Sequence, residues 1–292
     1  MATSQPMMGN STSSVLGRRL GGELLRLRTT AGLTQTDAAK ALSSSLTKVT
    51  KMERGWVPVR DPDIRALCEL YGVRESGDVA LLLELAKADR ERRKAKGWWD
   101  NYSTLGDMHE YAALESGATA VKAWQPAFVP GLLQTPDYMR SLRTGLTVTT
   151  PQEDEEFLAA RLARQRRLDN GTSFTLRTVM YEAVLHNLPG GIDIARGQID
   201  HLVQMAERPN ITLLVYPFSA GPHTGLNGSF NVISFAEPGA MDIVYVEIPY
   251  TRLWIEGGPR AAAHDALFEA LAARSHSERD SVSLLRRLHK DL

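Results

Sequence analysis

A chain of 292 residues with 43% hydrophobic content is long enough for two domains, because one domain usually takes roughly 100–200 residues. Its 34 Lys and Arg balance 34 Asp and Glu. No run of about 18 apolar residues occurs, which argues against a membrane-spanning helix, and the single cysteine, Cys68, rules out an internal disulfide and fits a reducing cytoplasm. Residues 1–14 lack the basic start and apolar core of a signal peptide and read as a disordered arm of Ser, Thr, Gly and Gln.

Residues 15–73 read as a small all-α domain. Leu16, Leu20, Leu24 and Leu27 recur at spacings of four, four and three, which places them on one helical face. Thr34 is placed as the N-cap of a second helix opened by Gln35, with Asp37 at the capping-box position. Ala39 is small enough to let two helices cross closely, and Leu42, Val49 and Met52 point to a core. Between them the polar turn SSSLT carries Ser45 as N-cap of a third helix, roughly Leu46 to Arg54. Asp61 as N-cap and Pro62 at the first helical position open a fourth helix with Ile64, Leu67 and Leu70 on its apolar face, and Gly72 stops it.

On these residues the segment from about 15 to 73 resembles the Xre/Cro/C1 family of phage-repressor-like regulators. The matching motif is Gln35, Ala39, Val49 and the helix exit Met52-Glu53-Arg54-Gly55; Ser43 stands where the family usually has a turn glycine, and Ser44 where it usually has a buried aliphatic residue. The resemblance implies a four- or five-helix lambda-repressor-like fold that lays its third helix in the major groove of DNA. Charge agrees: residues 15–72 hold ten Lys/Arg against six Asp/Glu, whereas the rest of the chain is net acidic by four. A basic lobe suits phosphate binding, because neutralising phosphates releases condensed counterions. By motif position Gln35 and Lys48, with Arg54, are placed to position the DNA backbone. Ser45, Leu46, Thr47, Thr50 and Lys51 complete the DNA-binding set. Within it Lys51 suits guanine, and Leu46 or a threonine methyl suits thymine. A merely solvated basic helix face is the plainer alternative for the same residues.

Residues 74–100 read as a helical connector, packed at its start and solvated over ADRERRKAKG, ended by Gly97-Trp98-Trp99. Residues 101–292 alternate helices with a compact group of strands. Thr135-Pro136 and Thr150-Pro151-Gln152-Glu153 are helix starts, the second with a capping box, and the helix behind Thr150 closes at Asn170-Gly171. SFTLRTVM, ITLLVYPF, GSFNVISF, DIVYVEI and TRLWI are the β-rich runs. Two helices near 259–274 and 277–289 close the chain, the last capped by Ser277 with Asp280. Without regular βαβ alternation the expected fold is α+β, with a mainly antiparallel sheet.

A second resemblance rests on VPGLLQTPDYMRSL, RLARQRRL, MAERPNITLLVYPFSAGPHTGLNGSF and DIVYVE. In that order they are similar to the C-terminal domain of the WhiJ-like actinomycete regulators, in which an Xre-type helix-turn-helix precedes a domain of unknown function. The resemblance implies a cytoplasmic, nucleoid-associated transcriptional regulator, a repressor with antitoxin-like character, paired with a small protein encoded nearby. It supplies no catalytic residue.

A catalytic or small-molecule-binding role for residues 101–292, with the helix-turn-helix as an accessory targeting part, is the competing reading. The seven histidines form no HxxxH or HExxH pair, Cys68 has no companion, and no GxSxG elbow is present. The expectation is therefore no catalytic site, no metal and no cofactor. A surface for an effector is expected instead, either the small protein or a small molecule, on the SAGPHTGLNGS loop with Tyr216, Phe218 and His223. Dimerisation through residues beyond 74 is expected because one recognition helix makes few base contacts, and two-fold dimers read half-sites about 34–36 Å apart.

Overall fold

The structure is a computed structural model that describes residues 14–94, 97–105, 108–143, 150–169, 173–236, 242–248 and 251–292. The arm expected over residues 1–13 and the Asn170-Gly171 turn lie outside the described residues. The chain divides into two compact units, Met1–Gly97 and Trp98–Leu292.

Among its described residues the first unit has five helices: α1 (Val15–Thr30), α2 (Gln35–Ala41), α3 (Leu46–Glu53), α4 (Asp61–Leu70) and α5 (Ser76–Lys94). Leu16, Leu20 and Leu24 bury the face of α1 that the leucine spacing marks, against Ala38, Val49, Met52 and Ile64. Local hydrogen bonding starts these helices. Thr34 and Asp37 form a reciprocal capping box, and the Ser45 hydroxyl accepts from Lys48 N at 3.2 Å. Arg60, not Asp61, is the N-cap of α4, so the proline lies one position deeper than expected.

The helices α1 to α4 all end in the same Schellman geometry, with a 6→1 and a 5→2 backbone bond. In α3 these run from Trp56 N to Lys51 O at 2.8 Å and from Gly55 N to Met52 O at 2.9 Å. The αL residue is Gly32, Gly55 or Gly72 in three of them and Ser43, at φ +47°, after α2. Gly55 is also sterically required, since a Cβ there would lie 2.4 Å from Arg18 N.

The charged end of α5 is not a solvated connector. Asp89 is wholly buried, takes two bonds from Arg93 Nε at 2.9 and 3.0 Å, and accepts from the Ser14 hydroxyl. Arg93 also donates to Gly55 O at 2.6 Å, and Arg90 to Val59 O at 2.8 Å. With Leu82, Leu85 and Ala86 in the same core, α5 is the fifth helix of this unit. Asp89, Arg90 and Arg93 are thus engaged within the unit, whereas Lys87, Glu91 and Lys94 of the same helix are exposed.

The second unit is built from α6 (Met108–Gly117), β1 (Ala120–Gln125), α7 (Pro136–Arg143), α8 (Pro151–Gln165), β2 (Thr175–Tyr181), α9 (Ala183–His186), α10 (Ile192–Ala206), β3 (Ile211–Tyr216), β4 (Phe230–Ser234), β5 (Ile243–Ile248), β6 (Thr251–Glu256), α11 (Gly258–Ala273) and α12 (Glu278–Asp291). One six-stranded sheet has the order β3-β2-β1-β4-β5-β6. Pairings β1–β2 and β2–β3 are parallel, whereas β1–β4, β4–β5 and β5–β6 are antiparallel.

The sheet is thus mixed: the expected antiparallel pairing holds for three of the five neighbouring pairs, and the two on the β3 side are parallel. Its first half is wound β-α-β-α-β, because α7 and α8 separate β1 from β2 and α9 and α10 separate β2 from β3. Parallel neighbours require such crossovers. Alternate strand residues serve two cores. Val121, Met180, Val215, Ile233 and Tyr245 face α6, α7, α10 and α12. Trp124, Val179, Tyr216, Val232 and Val244 face α11. The β3 edge is closed by the corner between α11 and α12, where Val215 N donates to Ser281 Oγ at 3.0 Å and Val215 O accepts from His276 N at 2.9 Å.

Candidate functional site

The helix-turn-helix is held by side-chain bonds around Glu53, which is 8% exposed. Arg28 donates to it from Nε at 2.6 Å and from Nη2 at 3.0 Å, and also to Leu33 O at 2.7 Å. Gln35 donates from Nε2 to the same carboxylate at 2.7 Å, and its Oε1 accepts from the Thr50 hydroxyl at 3.1 Å. One carboxylate therefore joins α1, α2 and α3. Neither the motif nor the spacing marks Glu53 for this task, since its partners lie 25 and 18 positions away.

With its inner face locked, α3 turns Leu46, Thr47 and Lys51 outward; Leu46 is 51% exposed. Exposed Arg54 caps the helix and holds its guanidinium 5.1 Å from the Trp56 ring centre, within cation–π range. Ser45 is exposed, and its oxygen is engaged by the cap while the hydroxyl proton remains a donor.

Three expected contact residues are committed within the fold. Both polar groups of the Gln35 side chain are bonded inward, and the one hydroxyl proton of Thr50 is shared between Gln35 Oε1 and Leu46 O, at 3.1 and 3.0 Å. Lys48 Nζ lies 3.2 Å from Asp63 Oδ2. Asp63 is 5% exposed. Burial pushes its carboxyl upward, but hydrogen bonds from Arg60 and Lys48 outweigh that and hold it below the usual aspartate value. Asp63 was not singled out by sequence; an acid three residues after Arg60 is the one local signal for it.

The three residues expected at an effector surface are separated by burial. Tyr216 is fully buried and belongs to the α11-facing core, so it is not a surface contact. Its position at the end of a strand that alternates between two covered faces accounts for this. Phe218 is 50% exposed, stacked 5.6 Å from His186 and edge-on to Tyr181 at 5.3 Å. His223 packs 4.4 Å from Tyr216 and 5.0 Å from Trp124, with both ring nitrogens enclosed and without a hydrogen-bond partner. Burial and then the Arg274 charge hold its pKa below the ordinary histidine value. Trp124 is likewise core, its indole N–H donating to Gly225 O at 2.7 Å.

Comparison with protein families finds two matches. Residues 19–83 match a model described as a helix-turn-helix domain, and residues 108–287 match one described as a domain of unknown function, DUF5753. No curated protein and no solved structure matches the chain. Among the described residues, no helix is long and apolar enough to cross a membrane.

Proposed function

The chain belongs to the DUF5753 family, and since a helix-turn-helix precedes that domain, we propose that it is a sequence-specific transcriptional repressor of the WhiJ-like group. In this reading it works as a homodimer on a two-fold operator, in the cytoplasm at the nucleoid. Residues 98–292 bind the effector, a small protein encoded nearby or a small molecule, and the chain is not an enzyme.

The supporting observation is the outward display of Leu46, Thr47 and Lys51 from a helix whose other face is fixed through Gln35 and Glu53. A preorganised helix of this kind can present a donor to guanine and methyl groups to thymine without rearranging. Lys51 and Arg54 are the cations at this face that no described carboxylate pairs with, in contrast to Lys48.

Footprinting of the full-length protein on DNA upstream of its own gene tests the reading. Protection of two half-sites about 34–36 Å apart is expected, weakening steeply as salt rises. Retention no better than on scrambled duplex of the same composition would overturn it.

A further inference from the structure

The strand order of the second unit reverses between β1 and β4, which are neighbours in the sheet although β2 and β3 lie between them in the chain. In open parallel sheets ligands settle beyond the carboxyl ends of the strands where the connections part; here the neighbours run antiparallel, so the corresponding crevice lies between the carboxyl end of β1 and the amino end of β4. Here β1 leaves through Gln125–Phe128 and β4 begins behind Gly228–Ser229, opening a cavity of about 740 Å³. That lies within the roughly 300–1,000 Å³ usual for small-molecule sites.

Phe128, Tyr181 and Phe230 stand in its wall, and Phe128 is 54% exposed. Tyr181 also packs edge-on against Phe218 at 5.3 Å, tying the cavity to the glycine-rich loop. The polar side of the wall is oriented. Asn231 donates to the Tyr111 hydroxyl at 3.0 Å and accepts from Gln125 Nε2 at 3.4 Å. Gln125 Oε1 then faces no donor among the described residues. The two charges of the wall oppose each other: Arg252 and Glu247 are register partners across β5–β6, 3.9 Å apart, and Arg252 Nε donates to the Tyr245 hydroxyl at 3.0 Å.

We propose that this cavity binds a neutral, planar heteroaromatic small molecule of nucleobase or aromatic-amide type, stacked on the aromatic wall and donating an N–H to Gln125 Oε1. Aromatic faces reward a flat ring, the amide oxygen of Gln125 favours a donor, and a wall holding one cation beside one anion gives an acid no net counter-charge. The inference deepens the effector-binding part of the proposed function. Its test contains no DNA, so its failure leaves the operator reading untouched.

The test is calorimetric titration of the full-length protein with adenosine, guanosine and nicotinamide as neutral probes and benzoate as the anionic one. Saturable binding of at least one neutral probe is expected, with benzoate about tenfold weaker or more. Phe128→Ala and Gln125→Met should each weaken the bound probe by about tenfold or more. Phe128 is surface-exposed, so its variant keeps the fold, and an unchanged urea midpoint verifies this. Absence of saturable binding by all three neutral probes, benzoate binding as tightly as they do, or either variant binding as the parent does would each overturn the proposal.

Discussion

Gln35 donates its side-chain amide to Glu53 at 2.7 Å, so the first helix of the DNA-reading pair is fastened to the second through a carboxylate that Arg28 also holds. The two ends of this contact have unequal consequences. Glu53→Ala strands the Arg28 guanidinium in a buried site, a change that costs about 3–5 kcal/mol. Gln35→Ala removes the hydrogen bond to the Glu53 carboxylate, while Thr50 keeps Leu46 O as its acceptor, and should cost about 1.5–3 kcal/mol. Urea unfolding of the two variants checks the order. Equal midpoints would show that the Arg28–Glu53 pair contributes nothing beyond the Gln35 bond.

Ser43 occupies the αL position after α2, the position that glycine fills after α1, α3 and α4. An L-residue there costs about 1–2 kcal/mol, and glycine returns part of that gain through its larger unfolded-state entropy. Ser43→Gly should therefore stabilise the first unit by about 0.5–1 kcal/mol, read as a raised thermal midpoint. Gly55→Ala should act in the opposite direction and more strongly, because its Cβ would press on the α1 backbone at Arg18. A lowered midpoint in Ser43→Gly would contradict the Schellman assignment.

Lys51 and Lys48 sit one turn apart on α3 but are not equivalent. Lys51 is exposed, whereas the Lys48 ammonium is 3.2 Å from Asp63. Lys51→Ala should cost about 1–3 kcal/mol of operator affinity and relax base preference at one position in each half-site. Lys48→Ala should change the slope of log K against log salt by less than the roughly 0.9 expected for a full phosphate contact. Fluorescence anisotropy over a salt series separates the two, and a larger slope change in Lys48→Ala would reverse their roles.

The features legible in the sequence are those set within four residues. Thr34 with Asp37, Thr150 with Glu153 and Ser277 with Asp280 cap the helices that their spacing marks. The leucine stripe of α1 faces the core for the same local reason. Long-range pairing was not legible. Asp89 accepts from Ser14, 75 positions away, and the parallel pairing of β1 with β2 depends on where two intervening helices pack. Tyr216 illustrates the limit at a single residue: beside exposed Phe218 it reads as part of a loop surface, yet its strand alternates between two covered faces and places it inside.

His223 gives the second unit an acid-side weakness. Its folded pKa is lowered, first by burial and then by Arg274, and its ring nitrogens find no hydrogen-bond partner. The unfolded chain, with an ordinary value of about 6.5, therefore takes up the proton first as pH falls. Stability associated with the neutral ring is complete above that value and is lost as pH drops from there through the lower folded value. His223→Phe keeps an aromatic ring against Trp124 and Tyr216 but cannot titrate, so its urea midpoint should fall less than the parent's between about pH 7 and 5. His201 is also lowered by burial and, second, by Arg208, so part of the slope should survive the substitution. Identical slopes in parent and variant would show that the His223 ring is protonated without cost where it stands.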